Sequence, residues 1–240
     1  MFRKNLKMQV ASVAVLLGLA GLAACQNDTV SAAEPVEATS VVSDDFFTIA
    51  VIPDTQNYLD YTHQLAEGFP FDANEMFLQQ MQYIADNLES EGGEIAFVTS
   101  LGDVWQHQTE EMDEAHKARG FKKVSSPLID AHFAPTPKVF SVEMPKAAEG
   151  FGLIAGKTPF SVVPGNHDYD AMWTDSQFPP KATKPEEVDM NDLAGSLGVL
   201  HPGGLDNFRS VFGDDTDFFK DKTWYVASND GGADSAQVFE

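Results

Sequence analysis

The sequence predicts an α/β fold built on parallel strands, and three observations point there. Residues 46–52, 95–98 and 160–163 are short, β-prone apolar runs, as expected for strands covered by helices. The first two runs are separated by a segment with a helical period, so strand, helix and strand form one parallel unit. Each run also delivers polar residues at its C-terminal end, which is where open α/β sheets bind ligands.

The first run, Phe46-Phe47-Thr48-Ile49-Ala50-Val51-Ile52, has no polar alternation and is expected to be buried on both faces. It stops at Pro53-Asp54. A helix is predicted over residues 74–90, where Phe77, Met81, Ile84 and Leu88 share one face, and Gly92-Gly93 marks its exit. The second run leads through Thr99-Ser100-Leu101 into Gly102-Asp103. Residues 109–123 are charged and read as helical, and residues 125–158, with several prolines and glycines, read as irregular. The third run ends in Pro164-Gly165-Asn166-His167-Asp168. Beyond it the chain reads as loop-rich, with a short helix near residues 206–212 and a return to strand near residues 222–228.

The N-terminus reads as an address. Arg3, Lys4 and Lys7 precede an apolar run over residues 10–24 that closes in Leu22-Ala23-Ala24-Cys25, the layout of an export signal. That ending resembles the lipobox of bacterial lipoproteins, which implies cleavage after residue 24 and lipidation of Cys25. A plain signal peptide or an uncleaved anchor would leave this cysteine incidental. It is the sole cysteine of the chain, so no intrachain disulfide is possible. Residues 26–45 are rich in Ala, Ser, Thr, Glu, Val and Asp without hydrophobic period. As a coil such a tether reaches on the order of 25 Å. The expected organisation is a signal peptide over 1–24, a lipidated cysteine and tether over 25–45, and one domain over 46–240.

Fifteen basic residues face 37 acidic ones, a formal charge of −22. That balance opposes binding to nucleic acid or to anionic lipid faces. It also repels phosphorylated compounds, so phosphate chemistry here needs local positive charge of the kind a bound metal ion carries. Carboxylate, amide oxygen and imidazole at the three strand ends are donors suited to Mn, Fe or Zn. No Gly-x-Ser-x-Gly elbow is present to offer a serine nucleophile.

Asp54-Thr55-Gln56, Gly102-Asp103-Val104-Trp105-Gln106 and Gly165-Asn166-His167-Asp168 resemble, in order, the motifs of calcineurin-like metallophosphoesterases, in a subset carrying Asp-Thr-Gln. The resemblance covers residues 46–240. It implies a four-layer αββα sandwich and hydrolysis of phosphate mono- or diesters by a hydroxide bridging two divalent ions. It further implies that Asp54 holds one ion, Asp103 bridges both and Asn166 holds the other. His167 then stabilises or protonates the leaving group, steadied by Asp168. Gln56 replaces the family's usual histidine and is either a ligand or a hydrogen-bonding neighbour of one. Gln106 replaces an acid or Asn and is not expected to ligate, and His107 beside it reads as polar surface.

The family's later histidine and its Gly-His-x-His motif are missing, and His201, in His201-Pro202-Gly203-Gly204, reads as a turn. The expectation is therefore an N-terminal fragment, with little activity of its own, of an exported and membrane-anchored enzyme. Its substrate would be a phosphorylated small molecule or headgroup. The competing expectation is a noncatalytic binding lipoprotein that keeps the fold. Trp105, Trp173 and Trp224 could shape a substrate mouth or belong to core and rim, and the acidic stretch over residues 213–217 reads as a solvated turn.

Overall fold

Among the described residues eight strands succeed one another: β1 (Thr48–Ile52), β2 (Ile95–Ser100), β3 (Lys123–Val124), β4 (Phe160–Val162), β5 (Met172–Asp175), β6 (Leu200–Pro202), β7 (Tyr225–Asn229) and β8 (Asp234–Gln237). The α-helices are α1 (Gln56–Leu59), α2 (Ala73–Asp86), α3 (Glu114–Ala118), α4 (Pro127–His132), α5 (Met144–Gly152), α6 (Leu193–Leu197) and α7 (Asp206–Phe212), and a π-helical turn, Val139–Glu143, runs directly into α5. This computed structural model describes residues 47–60 and 73–238. The export signal, the tether and Cys25 lie outside the described residues, and among the latter no helix is long and apolar enough to cross a membrane.

The three apolar runs become β1, β2 and β4, a parallel sheet in the order β1-β2-β4. Register places Ile52 beside Ser100 and Ser100 beside Val162, so all three strands end in one row. The turns that follow them therefore leave the sheet at the same edge.

Side chains alternate across a strand, and one face of this sheet is the core side, with Ile52, Val98, Phe160 and Val162 buried. Helix α2 lays Ala73, Phe77, Met81 and Ala85 into that core, with Leu88 following just beyond its end. Met144, Ala147 and Phe151 of α5 and Ile154 after it supply a second apolar stripe. Aromatic rings fill the space between. Phe151 meets Phe212 edge-on at 5.1 Å, and Trp105 lies against both Phe208 and Phe212. Each such side chain removed from water contributes about 1.5–3 kcal/mol.

Asp170 fixes α7 at its N-terminus, where unpaired N–H groups and the helix dipole favour an anion. Its carboxylate accepts the N–H of Asp206 at 2.6 Å and of Asn207 at 3.1 Å, together with the Asn207 side-chain amide at 2.8 Å. The antiparallel strands β3, β5 and β6 form a second small sheet, and β7 and β8 a third.

Several expectations change. Strand β1 is not buried on both faces: Ile49 and Val51 remain 44% and 55% exposed. The reason is that these two side chains point to the face opposite the core, where Ile52 is buried. The helix over residues 74–90 ends at Asp86, and a 3₁₀ turn, Glu89–Glu91, continues to a left-handed Gly92. Only Glu114–Ala118 is helical within residues 109–123. Residues 125–158, read as irregular, are largely helical instead, because Met144, Ala147, Phe151 and Ile154 repeat at helical spacing and bury together. The helix near residues 206–212 is present, and the return to strand begins at Tyr225. The described chain is thus mixed α/β, with a parallel sheet at its centre.

Candidate functional site

Backbone hydrogen bonds pin the turn after β1 onto the turn after β2. The N–H groups of Thr55 and Gln56 both donate to the carbonyl of Asp103, at 3.1 and 3.0 Å. The Thr55 hydroxyl donates to the carbonyl of Val104 at 2.9 Å. Asp54 and Asn166 lie exposed at the surface, while Gln56 and Asp103 are half-buried. Gln56 Oε1 is itself buried and accepts no hydrogen bond among the described residues. Leaving such an oxygen unpaired costs about 1–3 kcal/mol.

The turns after β2 and β4 touch backbone to backbone. Gly102 has φ +99°, and a Cβ there would stand 2.6 Å from the Gly165 nitrogen. A Cβ on Gly165 would stand 2.2 Å from Asp103 Oδ1. Glycine is therefore required on both sides of the contact. Asp103 itself adopts φ +50°, a left-handed conformation that a residue with a Cβ enters at a cost and keeps only when its surroundings enforce it. Here the enforcing bonds are the two N–H groups on its carbonyl and the His167 N–H, which donates to its Oδ1 at 2.8 Å.

His167 is buried, and its ring is oriented on both sides. The Nδ1–H donates to the Gln106 carbonyl at 2.7 Å, and the ring stacks on Phe133 at 4.1 Å. Because a carbonyl only accepts, this bond places the proton on Nδ1 and leaves Nε2 as the reactive nitrogen. Burial lowers the imidazole pKa, against the Gln106 carbonyl and the charges of Asp103 and Asp54, which favour the protonated ring.

Asp168 does not share this bond. Its carboxylate lies beneath the turns and accepts the N–H of Val104 at 2.8 Å, of Trp105 at 3.3 Å and of Gly165 at 2.8 Å. Burial pushes its carboxyl up to about 7, against those three donors. None of these bonds reaches the His167 ring.

One constellation was not legible beforehand. Asp60, His107 and Glu143 each offer one donor atom, the three lying within 4.8 Å of one another, and this group could hold a metal ion. His107 Nδ1 is 2.6 Å from Glu143 and 3.9 Å from Asp60. Glu143 is wholly buried, and its second oxygen accepts the N–H groups of Gln106 and His107 at 2.9 and 3.2 Å. His107 is thus a largely enclosed, paired side chain and not polar surface. Its position beside Gln106 was the only available signal, since Glu143 lies 36 residues further on.

His201 is likewise no turn residue. It lies on β6 with Nε2 2.5 Å from Asp175 Oδ2 and its ring stacked on Trp173. Trp105 and Trp173 are core residues, and Trp224 is partly buried at the core's edge. Asp170, next to the third motif, is committed to α7. Gln106 donates its side-chain amide to the His132 carbonyl at 2.6 Å. No protein-family model, no curated protein and no solved structure matches this chain.

Proposed function

We propose that the chain holds the cations of a phosphoester hydrolase of the metallophosphoesterase type, exported and tethered through a lipid on Cys25. The observation that supports it most is the interlocking of the three turns. Asp103 takes the N–H groups of Thr55, Gln56 and His167, so one residue joins all three strand ends. Asp54, Asp103 and Asn166 offer oxygen donors there, and Gln56 adds an amide oxygen that has no other partner among the described residues. A buried acceptor of this kind fits a cation, which would satisfy it. Two bound divalent ions, Mn, Fe or Zn, would supply the positive charge that phosphoryl oxygens and an attacking water require.

The chain's own residues supply orientation and proton handling. With Nδ1–H committed to the Gln106 carbonyl, His167 offers Nε2 to hold or deliver a proton at the leaving oxygen. The Phe133 ring keeps water from one face of that imidazole. Asp168 holds the turns in place, and the His167 N–H bond to Asp103 Oδ1 spans the same contact. The four-layer αββα sandwich belongs to the same reading. The open apolar face of β1 supports it, because a second sheet laid there would cover Ile49 and Val51.

Hydrolysis of p-nitrophenyl phosphate and its bis ester by the full-length protein, with Mn²⁺ added, tests the proposal. Turnover is expected in the wild type and none in Asp103→Ala. Equal turnover in that variant would refute the role of Asp103. No tightly held cation and no turnover of any phosphorylated compound would favour the noncatalytic binding lipoprotein.

A further inference from the structure

Asp60, His107 and Glu143 have a donor set of a different kind from the oxygen donors of the three turns. One imidazole nitrogen and two carboxylate oxygens converge, where Asp54, Gln56, Asp103 and Asn166 offer oxygen alone. Imidazole nitrogen favours zinc-type ions over magnesium or calcium, and three protein donors with an open position is a common zinc arrangement. We propose that Asp60, His107 and Glu143 bind a single zinc-type divalent cation, and that this ion braces the peptide between residues 106 and 107 on which His167 is oriented.

Two of the three donor pairs need little adjustment. Donors about 2.0–2.2 Å from a tetrahedral ion lie roughly 3.3 Å from each other. His107 Nδ1 and Glu143 Oε1 stand 2.6 Å apart, and His107 Nδ1 and Asp60 Oδ2 stand 3.9 Å apart. The first pair opens and the second closes by well under an ångström each. The ion takes the place of the proton shared between His107 and Glu143, which passes to solvent. Charge favours the exchange, since Asp60 and Glu143 are both nearly inaccessible to water and buried carboxylates need compensation. Among the described residues the cationic groups facing them are His107 and Lys138, the latter 3.7 Å from Asp60 Oδ1.

The structural consequence runs through one carboxylate. While Glu143 Oε1 faces the ion, Oε2 retains the N–H groups of Gln106 and His107, and the Gln106 carbonyl retains the His167 Nδ1–H. The ion is thus two hydrogen bonds from the imidazole. The cation site itself does not rest on the phosphoester reading, because none of its three ligands is among the residues assigned to that reaction.

Zinc titration of the chelator-stripped full chain by calorimetry, with zinc-edge absorption spectroscopy on the wild type loaded with one equivalent of zinc in excess Mn²⁺ to occupy the oxygen donors of the turns, tests the proposal. The wild type is expected to bind Zn²⁺ in a shell with one imidazole and otherwise oxygen. Asp103→Asn is expected to keep that site, whereas His107→Ala and Asp60→Asn, checked for native circular dichroism, lose it. An oxygen-only shell, a shell with two or more imidazoles, or wild-type affinity in both variants would overturn the proposal. If a variant fails to fold, the wild-type spectrum decides alone. Failure of phosphoester turnover with this shell intact would count against the proposed function only.

Discussion

Asp168 and Val104, 64 positions apart in the chain, are joined by a 2.8 Å hydrogen bond from the Val104 N–H to the buried Asp168 carboxylate. The other carboxylate oxygen takes the N–H of Gly165 at the same distance. One side chain therefore closes the turn after β4 and staples it to the turn after β2. Asp168→Ala leaves three N–H groups without an acceptor in a site that water does not reach, at about 1–3 kcal/mol each. Relief of burying the acid offsets part of that, and the expected net loss is about 3 kcal/mol by urea denaturation. Asp168→Asn keeps one oxygen acceptor and loses less. A midpoint unchanged in Asp168→Ala would mean that the turns hold themselves.

Gly165→Ala tests the backbone contact between the same turns. The new methyl would meet Asp103 Oδ1 at 2.2 Å and the Asp103 nitrogen at 2.5 Å, and backbone cannot swing aside as a flexible side chain can. The expected cost is about 1–3 kcal/mol, in the range of overpacking, accompanied by weaker Mn²⁺ binding as Asp103 is displaced. Calorimetric titration checks the second part, and an Ala variant that binds Mn²⁺ as the wild type does would separate Asp103 from cation binding.

Gln56 permits a prediction with opposite signs in two conditions. In chelator-treated protein, Gln56→Leu removes an oxygen that has no hydrogen-bond partner, so the variant should be more stable by about 1 kcal/mol. Saturating Mn²⁺ at a hundred times its Kd stabilises a binding protein by about 2.7 kcal/mol, and this gain should shrink in the variant. Thermal melts with and without the ion supply the four values required. If the Leu variant melts lower in chelator, the oxygen is satisfied in solution by something other than a cation.

Strand ends were the most legible part of this molecule. Apolar runs that stop at Pro53-Asp54, Gly102-Asp103 and Gly165-Asn166 mark the sheet edge directly, because parallel strands in register end together. Helix α7 was equally visible from Phe208 and Phe212, four residues apart on one face. The helices after Ser125 were obscured by Pro127, Pro145 and the glycines at 150 and 152, although prolines early in α4 and α5 are compatible with helix. What no spacing could reveal is the meeting of Asp60, His107 and Glu143, or the clamp of Asp168 on Val104. These are consequences of tertiary register, and the residues involved carry no periodic signal. The open face of β1 was hidden for a related reason, since an apolar run has the same composition whether one or both of its faces are covered.

Acid sensitivity is expected in the small antiparallel sheet. Burial raises the Asp175 carboxyl, but the Gln177 N–H, the His201 imidazole and the Phe178 N–H outweigh it and hold the group below its ordinary value. Asp113 is likewise held low against burial by the backbone and ring of His116. A carboxyl depressed in the folded state stabilises the fold above its unfolded pKa of about 3.9 and loses that contribution as pH falls through the folded value. Urea midpoints should therefore be level with respect to these groups from about pH 5 to 7 and fall below about pH 4. In Asp175→Asn the side-chain oxygen still accepts from Gln177 and Phe178, so the loss falls on the His201 side, where an amide N–H donor replaces the charged acceptor oxygen. That variant should be less stable near neutrality and show a shallower acid limb. Parallel curves for wild type and variant would mean that the His201 pair contributes nothing that titrates.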